Sequence, residues 1–191
     1  GREMLINVTR FFRDTEAFAW LEQHVIAKLV EESGSDTEVR VWVAGCSTGE
    51  EAYSLAILLD EALRAADSRK RVKIFATDVD VDAIADASLG RYAAEIRADV
   101  SRERLERYFT ASGDGYSVRQ EVRQQVVFAT HNMISDPPFS NIDLICCRNV
   151  LIYFQQPIQQ KVIAAFHFSL RRRGVAFFGK SESVGELKSH F

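Results

Sequence analysis

The sequence predicts an α/β fold. It calls for a Rossmann-like, largely parallel sheet with helices on both faces and a small inserted helix-and-hairpin subdomain. Three observations carry this. Strand-like and helix-like segments alternate along most of the chain. The first strand-like run passes into a small-residue loop and then a helix start, near residues 45–50. The alternation is broken once, between about residues 91 and 125.

Taken in order, Asp14 is placed to cap a helix running to about Glu32, whose Phe18, Leu21, Val25, Ile26 and Leu29 follow helical spacing. Val39 to Ala44 reads as the first strand, Gly45 to Gly49 as its loop and Glu50 to Ala66 as a helix. Lys73 to Thr77 forms a second strand ending on Asp78, and Asp80 caps a short helix, Val81 to Ser88. The interruption holds a helix (Ser101 to Tyr108) and a Gly-Asp-Gly turn (Gly113 to Gly115). Val126 to Thr130 and Ile142 to Cys147 are two further strands. A helix from Pro157 to Leu170, with proline in its first turn, precedes a last strand, Val175 to Gly179.

A chain of 191 residues with 47% hydrophobic and 27% charged residues can bury a single core and is not of disordered composition. The net charge of −3 argues against a nucleic-acid partner, which normally demands a basic stripe. In the interruption itself, seven arginines are offset by six acids. Cys46, Cys146 and Cys147 are odd in number and two are adjacent, a poor disulfide set, so a reduced, cytoplasmic setting is expected. The four histidines share no ligand spacing, so no metal is expected. No apolar run reaches the roughly 20 residues of a membrane span.

Two segments carry chemistry. The run VWVAGCSTGEEAYS (Val41 to Ser54) takes a strand through small residues to a helix start, a geometry that lets a ligand approach backbone amides. Glu50 and Glu51 follow where a phosphate loop would carry lysine. They repel phosphate and suit a cationic or hydroxyl-bearing ligand such as S-adenosylmethionine. An ordinary glycine turn with two helix-dipole acids is the alternative. In FATDVD (Phe75 to Asp80), an acid at a strand's carboxyl end suits ribose hydroxyls, so Asp78 is assigned to a ligand and Asp80 to capping.

With these residues in view, the chain resembles the CheR-type methyltransferases of bacterial chemotaxis over most of its length. The matching stretches are NVTRFFRD (Asn7 to Asp14), AGCSTGEEAYS (Ala44 to Ser54), ATDVD (Ala76 to Asp80) and CRNVLIYF (Cys147 to Phe154), with GKSES (Gly179 to Ser183) a looser match. The resemblance implies transfer of a methyl group from S-adenosylmethionine to glutamate carboxylates of a chemoreceptor or related signalling protein, leaving S-adenosylhomocysteine and needing no metal. It places Asn7, Thr9 and Arg13 against the cofactor, Glu51 at its amino-acid end, Asp78 at the ribose, and Asn132 and Met133 at the adenine. Arg148 and Asn149 then close the site, and Arg13 and Tyr153 lie beside the transferable methyl. The 91–125 insertion falls where the family docks its receptors.

The chain departs from the family at Ala52, where proline is usual, and at Lys180, where histidine is usual. The family's N-terminal helical domain is expected to be absent. The wording NVTRFFRDTEAF and GKSESVGEL resembles forms embedded in larger sensory proteins. Two readings of function therefore stand at this point: an active protein-glutamate methyltransferase, and a cofactor-binding signalling module of weak or no activity. Without the resemblance, Arg13 reads as a salt-bridging residue at a helix start and Tyr153 as an ordinary core aromatic; with it, both read as functional. Cys146 and Cys147 read as buried strand residues, and Phe11, Phe12, Phe177 and Phe178 as core or shielding aromatics.

Overall fold

A computed structural model describes residues 9–31 and 38–179. Its centre is β1 (Glu38–Ala44), where valine and tryptophan alternate along a strand buried on both faces. Continuous apolar runs of this kind are what a covered parallel sheet requires. Four strands join it, β2 (Arg71–Asp78), β6 (Val126–Thr130), β7 (Ile142–Cys147) and β8 (Leu170–Phe178), all parallel and ordered β6-β2-β1-β7-β8.

The period-two alternation of β1 divides the core. Val41 and Val43 face a cluster built with α1 (Thr15–Leu21), α2 (Ala27–Glu31) and α3 (Glu50–Ala65). In α3, Leu55, Ile57 and Leu59 are fully buried, each contributing about 1.5–3 kcal/mol by leaving water. Trp42 and Ala44 face the opposite cluster, built with α7 (Gln156–Ser169) through Val162, Ile163 and Phe166. Helices thus cover both faces, as the alternation predicts. Between α1 and α2 the helix widens into a π segment, Glu22–Ile26. Lys70 donates to the Leu29 and Val30 carbonyls at 3.0 and 2.9 Å, pinning the end of α2 beside the sheet.

After α4 (Val81–Leu89) the chain leaves the sheet. It forms β3 (Arg91–Tyr92), a 3-10 turn (Ala94–Ala98), α5 (Arg102–Tyr108), β4 (Phe109–Ser112), β5 (Gly115–Val118) and α6 (Gln120–Arg123). The three short strands make a separate antiparallel sheet ordered β3-β5-β4. Gly113, at φ 57°, supplies the left-handed first position of the two-residue turn between β4 and β5.

The predicted caps are formed. Asp14 accepts the Ala17 N–H, and Asp80 accepts the Asp82 and Ala83 N–H groups. Most boundaries shift by one or two residues, and the start of the last strand shifts by five. The last strand begins at Leu170, with its start aligned to Ile142, and absorbs the three-arginine run through a register irregularity. Arg173 takes a left-handed φ of 73° there, and Arg171 pairs with Asp143 at 3.3 Å.

Candidate functional site

The sheet reverses its order between β1 and β7. The chain lays β2 and β6 on one side of β1, then crosses to place β7 and β8 on the other. Loops leaving the carboxyl ends of strands at such a point diverge and leave a crevice. A cavity lies there. Gly45, Cys46 and Ser47 from the β1 loop and Glu51 from α3 form one wall. Arg148 and Asn149, beyond β7, form another. Thr9, Arg10, Arg13 and Phe18, from the N-terminal segment and α1, complete the lining.

The β1 loop is tightly held and locally strained. Gly45, Ser47 and Gly49 have φ of 77°, 50° and 96°. The first needs glycine for space as well: a Cβ would come within 2.5 Å of a Val150 methyl. Both the Gly45 and Cys46 amides donate to the Thr77 carbonyl at 2.8 Å. Ser47, left-handed and not glycine, carries a cost that its hydrogen bonds must offset. Its amide donates to Asp78 Oδ2 at 2.8 Å, while Asp78 Oδ1 accepts the Asp80 amide at 3.0 Å. Asp78 therefore stands one residue from the cavity wall, its carboxylate already oriented by two backbone donors and retaining lone pairs for a ligand.

Glu51 and Arg148 form the electrostatic centre. The guanidinium donates to Glu51 Oε1 at 3.2 Å and to the Arg13 carbonyl at 2.9 Å. It also lies over Phe18 and Phe177 at 5.2 and 5.4 Å, and its buried Nε has no hydrogen-bond partner among the described residues. Burial pushes the Glu51 carboxyl above its ordinary value, and the Arg148 and Arg13 charges offset this only in part. Glu50 is pushed up by burial too, against the Thr48 hydroxyl bonded to it. The Cys46 thiol is pushed far up, chiefly by burial and next by Asp78, so it is no nucleophile.

Of the residues nominated from the sequence, Thr9, Arg13, Glu51, Arg148 and Asn149 share this cavity, and Asp78 reaches it through Ser47. Asn132 and Met133 follow β6, alongside Asp78: the adjoining His131 amide donates to the Asp78 carbonyl at 3.0 Å. The Asn132 side chain closes a turn by accepting the Ile134 amide at 2.9 Å, and Met133 packs, like Phe75 and Phe139, against the core cluster that holds Trp42. Tyr153 is 46% exposed, on the 3-10 turn Leu151–Tyr153, and is not part of the cavity lining. Asn7 and Lys180 lie outside the described residues. The sequence reading did not nominate Arg10, Phe18, Cys46 or Ser47. Phe18 carries a core signal, and the special backbone at Ser47 has no side-chain signature.

The adjacent carboxylate and guanidinium groups suit the amino and carboxylate ends of an amino-acid ligand, and an oriented aspartate at the end of β2 suits a ribose. The fit is to a nucleoside bearing an amino acid. Among the described residues no group of His, Cys, Asp and Glu could hold a metal ion, and no helix is long and apolar enough to cross a membrane.

Sheet and site together define an S-adenosylmethionine-dependent methyltransferase fold. A TehB-like methyltransferase of that type from Corynebacterium glutamicum superposes with a TM-score of 0.50 at 14% identity, over 92% of this chain and 77% of that one. Residues 7–191 match the family model for the CheR methyltransferase SAM binding domain, and the chain belongs to that family. It is 34% identical to chemotaxis protein methyltransferase 1 of Pseudomonas aeruginosa, over 100% of this chain and 73% of that protein. It is 46% identical to an uncharacterized 104.1 kDa protein of Rhodobacter capsulatus, of whose length it spans 20%.

Proposed function

We propose that this domain methylates glutamate side chains of a chemoreceptor or related signalling protein, producing a methyl ester. The observation that carries the reading is the Glu51–Arg148 pair in the switch-point cavity, with Asp78 held one loop residue away. S-adenosylmethionine, when bound, supplies an electrophilic methyl group. Glu51 would accept hydrogen bonds from the ligand's amino group, Arg148 would meet its carboxylate, and Asp78 would accept the ribose hydroxyls. Asn132 and Met133 would border the adenine, and Asn149 would close the site.

The acceptor glutamate is ionised at neutral pH, since an unperturbed carboxyl titrates near ~4.3. No general base is required, and the cavity offers none: Cys46 is held protonated and Glu51 is engaged by Arg148. Catalysis then rests on proximity and orientation. Arg13, on the lining, would steer the incoming carboxylate, and Tyr153 would reach the transferred methyl from outside the lining. The segment 91–125 would dock the acceptor on the cytoplasmic face of its membrane.

The exposure of Tyr153, away from the lining, favours a second reading: a module that binds the cofactor without turnover. One pair of measurements decides. Calorimetry with S-adenosylhomocysteine reports binding, and release of base-labile methanol from receptor cytoplasmic fragments reports esters. Binding with ester formation supports methylation, and slower single-turnover transfer by Tyr153→Phe at unchanged affinity supports that residue's role. Binding without esters selects the module, and absence of binding by the folded chain removes both.

A further inference from the structure

One residue outside the cavity reaches the strained loop from the inserted subdomain. Tyr92, on β3, donates its hydroxyl to the Thr48 carbonyl at 2.6 Å. The other bonds on the loop come from the sheet, from the loop itself or from α3, whose Tyr53 amide donates to the Gly49 carbonyl and whose Glu50 accepts the Thr48 hydroxyl. The Gly45 and Cys46 amides reach Thr77, the Gly49 amide reaches Cys46, and the Ser47 amide reaches Asp78. Thr48 is the residue between the two left-handed positions Ser47 and Gly49. Fixing its carbonyl fixes the Thr48–Gly49 peptide plane, two planes along the loop from the one whose Ser47 N–H orients Asp78. Gly49 leaves the room this needs, since a Cβ there would stand 3.0 Å from the Tyr92 hydroxyl.

The tyrosine is itself rigidly placed. Its ring meets Phe11 edge-on at 4.9 Å and Tyr53 at 6.1 Å, so it also braces the segment that carries Arg10 and Arg13. Its backbone pairs with Tyr116 on β5, and the neighbouring Gly115 is pressed so closely that a Cβ would stand 2.1 Å from the Tyr92 carbonyl oxygen. Burial, then the nearby Glu50, push the phenol above its ordinary value, so at neutral pH it is protonated and can donate.

We infer that Tyr92 is a positioning residue: through the Thr48 carbonyl it sets the geometry of the cofactor loop and ties that loop to the inserted sheet. The inference rests on the reading that this loop holds S-adenosylmethionine. Calorimetry with S-adenosylhomocysteine on the chain, on Tyr92→Phe and on Tyr53→Phe tests it. Tyr53 is the control, because its hydroxyl makes a buried bond of similar length, to the Ala87 carbonyl at 2.7 Å, an acceptor outside the loop. Loss of one neutral hydrogen bond to the loop predicts about a fivefold weaker affinity for Tyr92→Phe. Tyr53→Phe should lose thermal stability to a similar degree and keep wild-type affinity. Equal affinity in the wild type and Tyr92→Phe, or equal weakening in both variants, overturns the inference. A wild type that binds no ligand overturns the site reading instead. Should Tyr92→Phe not fold, 3-fluorotyrosine labelling of the wild type serves: the Tyr92 fluorine resonance should move on addition of S-adenosylhomocysteine, and a resonance indifferent to saturating ligand overturns the role.

Discussion

The rim of the parallel sheet and the inserted subdomain are built from the same residue types under different rules. On the rim, φ is positive at Gly45, Ser47, Gly49 and Asn149, and at Phe12 and Asp14 facing them. Its arginine, Arg148, is buried against Glu51 and two aromatic rings. From residue 91 to 123, only Gly113 has positive φ, at the tip of a hairpin. The arginines there make surface pairs such as Arg102–Glu106, with side chains 91% and 70% exposed, or the two-point contact of Arg104 with Glu61. Left-handed backbone and a buried ion pair meet at the rim, and the insertion is a regular platform. This matches the general pattern that costly local structure persists where function requires it.

The largest effect expected contrasts two arginines. Arg148→Gln removes an ion pair, the bond to the Arg13 carbonyl and two cation–π contacts, and leaves Glu51 a buried carboxylate without its cation. Breaking a buried pair in this way costs about 3 kcal/mol or more. Arg102→Gln removes an exposed pair and should leave stability unchanged within measurement. Urea unfolding of both variants checks this. Similar losses in the two would break the contrast between the regions.

The next contrast separates two aspartates two residues apart. Asp78→Ala removes the acceptor for the Ser47 amide and, on the proposed reading, the ribose partner. Charge-assisted bonds of roughly 1.5–3 kcal/mol predict an affinity for S-adenosylhomocysteine lower by about tenfold to several hundredfold. Asp80→Ala removes only a helix cap and should cost about 1 kcal/mol of stability with affinity retained. Calorimetry paired with thermal unfolding reads both, and a weaker-binding Asp80 variant would move the ribose to the wrong side of that assignment.

The same contrast marks what the sequence made legible. Strands β6 and β7 have the predicted bounds, because each is a short run rich in apolar residues that lies between polar neighbours, Gln125 and His131 for β6 and Asn141 and Arg148 for β7. Asp14 and Asp80 were readable as caps because capping is local chemistry. The start of β8 was not, since three arginines in succession look like a loop and only the open edge of the sheet accommodates them. Nor was the π segment at Glu22–Ile26, which leaves the apolar spacing intact. Within the site, the acids at Glu51 and Asp78 stood out by position after a strand. The left-handed Ser47, and the bond from Arg148 to a carbonyl 135 residues away in sequence, are products of tertiary packing. So is the exposure of Tyr153, which its place in an apolar run conceals.

The smallest effect expected is in the pH dependence of stability, and it isolates Glu51. Its carboxyl titrates above the ordinary 4.5 in the folded chain, because burial outweighs the attraction of Arg148 and Arg13. Between that ordinary value and the raised one, the folded chain keeps a proton that the unfolded chain has released. Unfolding free energy therefore falls as pH rises through this window, and above it the cost of an ionised buried carboxylate remains. Glu50 and Asp143, also raised by burial, contribute slopes of the same sign. Glu51→Gln resembles the protonated form at every pH. It should match the wild type near pH 4 and become the more stable of the two toward pH 7, while its affinity for S-adenosylhomocysteine falls for want of a negative acceptor. Urea unfolding across that range, set beside calorimetry at pH 7, reads the stability and affinity halves separately. A variant less stable than the wild type at pH 7 would mean that the pair with Arg148 outweighs burial, and that the rim holds its charges for stability and not at its expense.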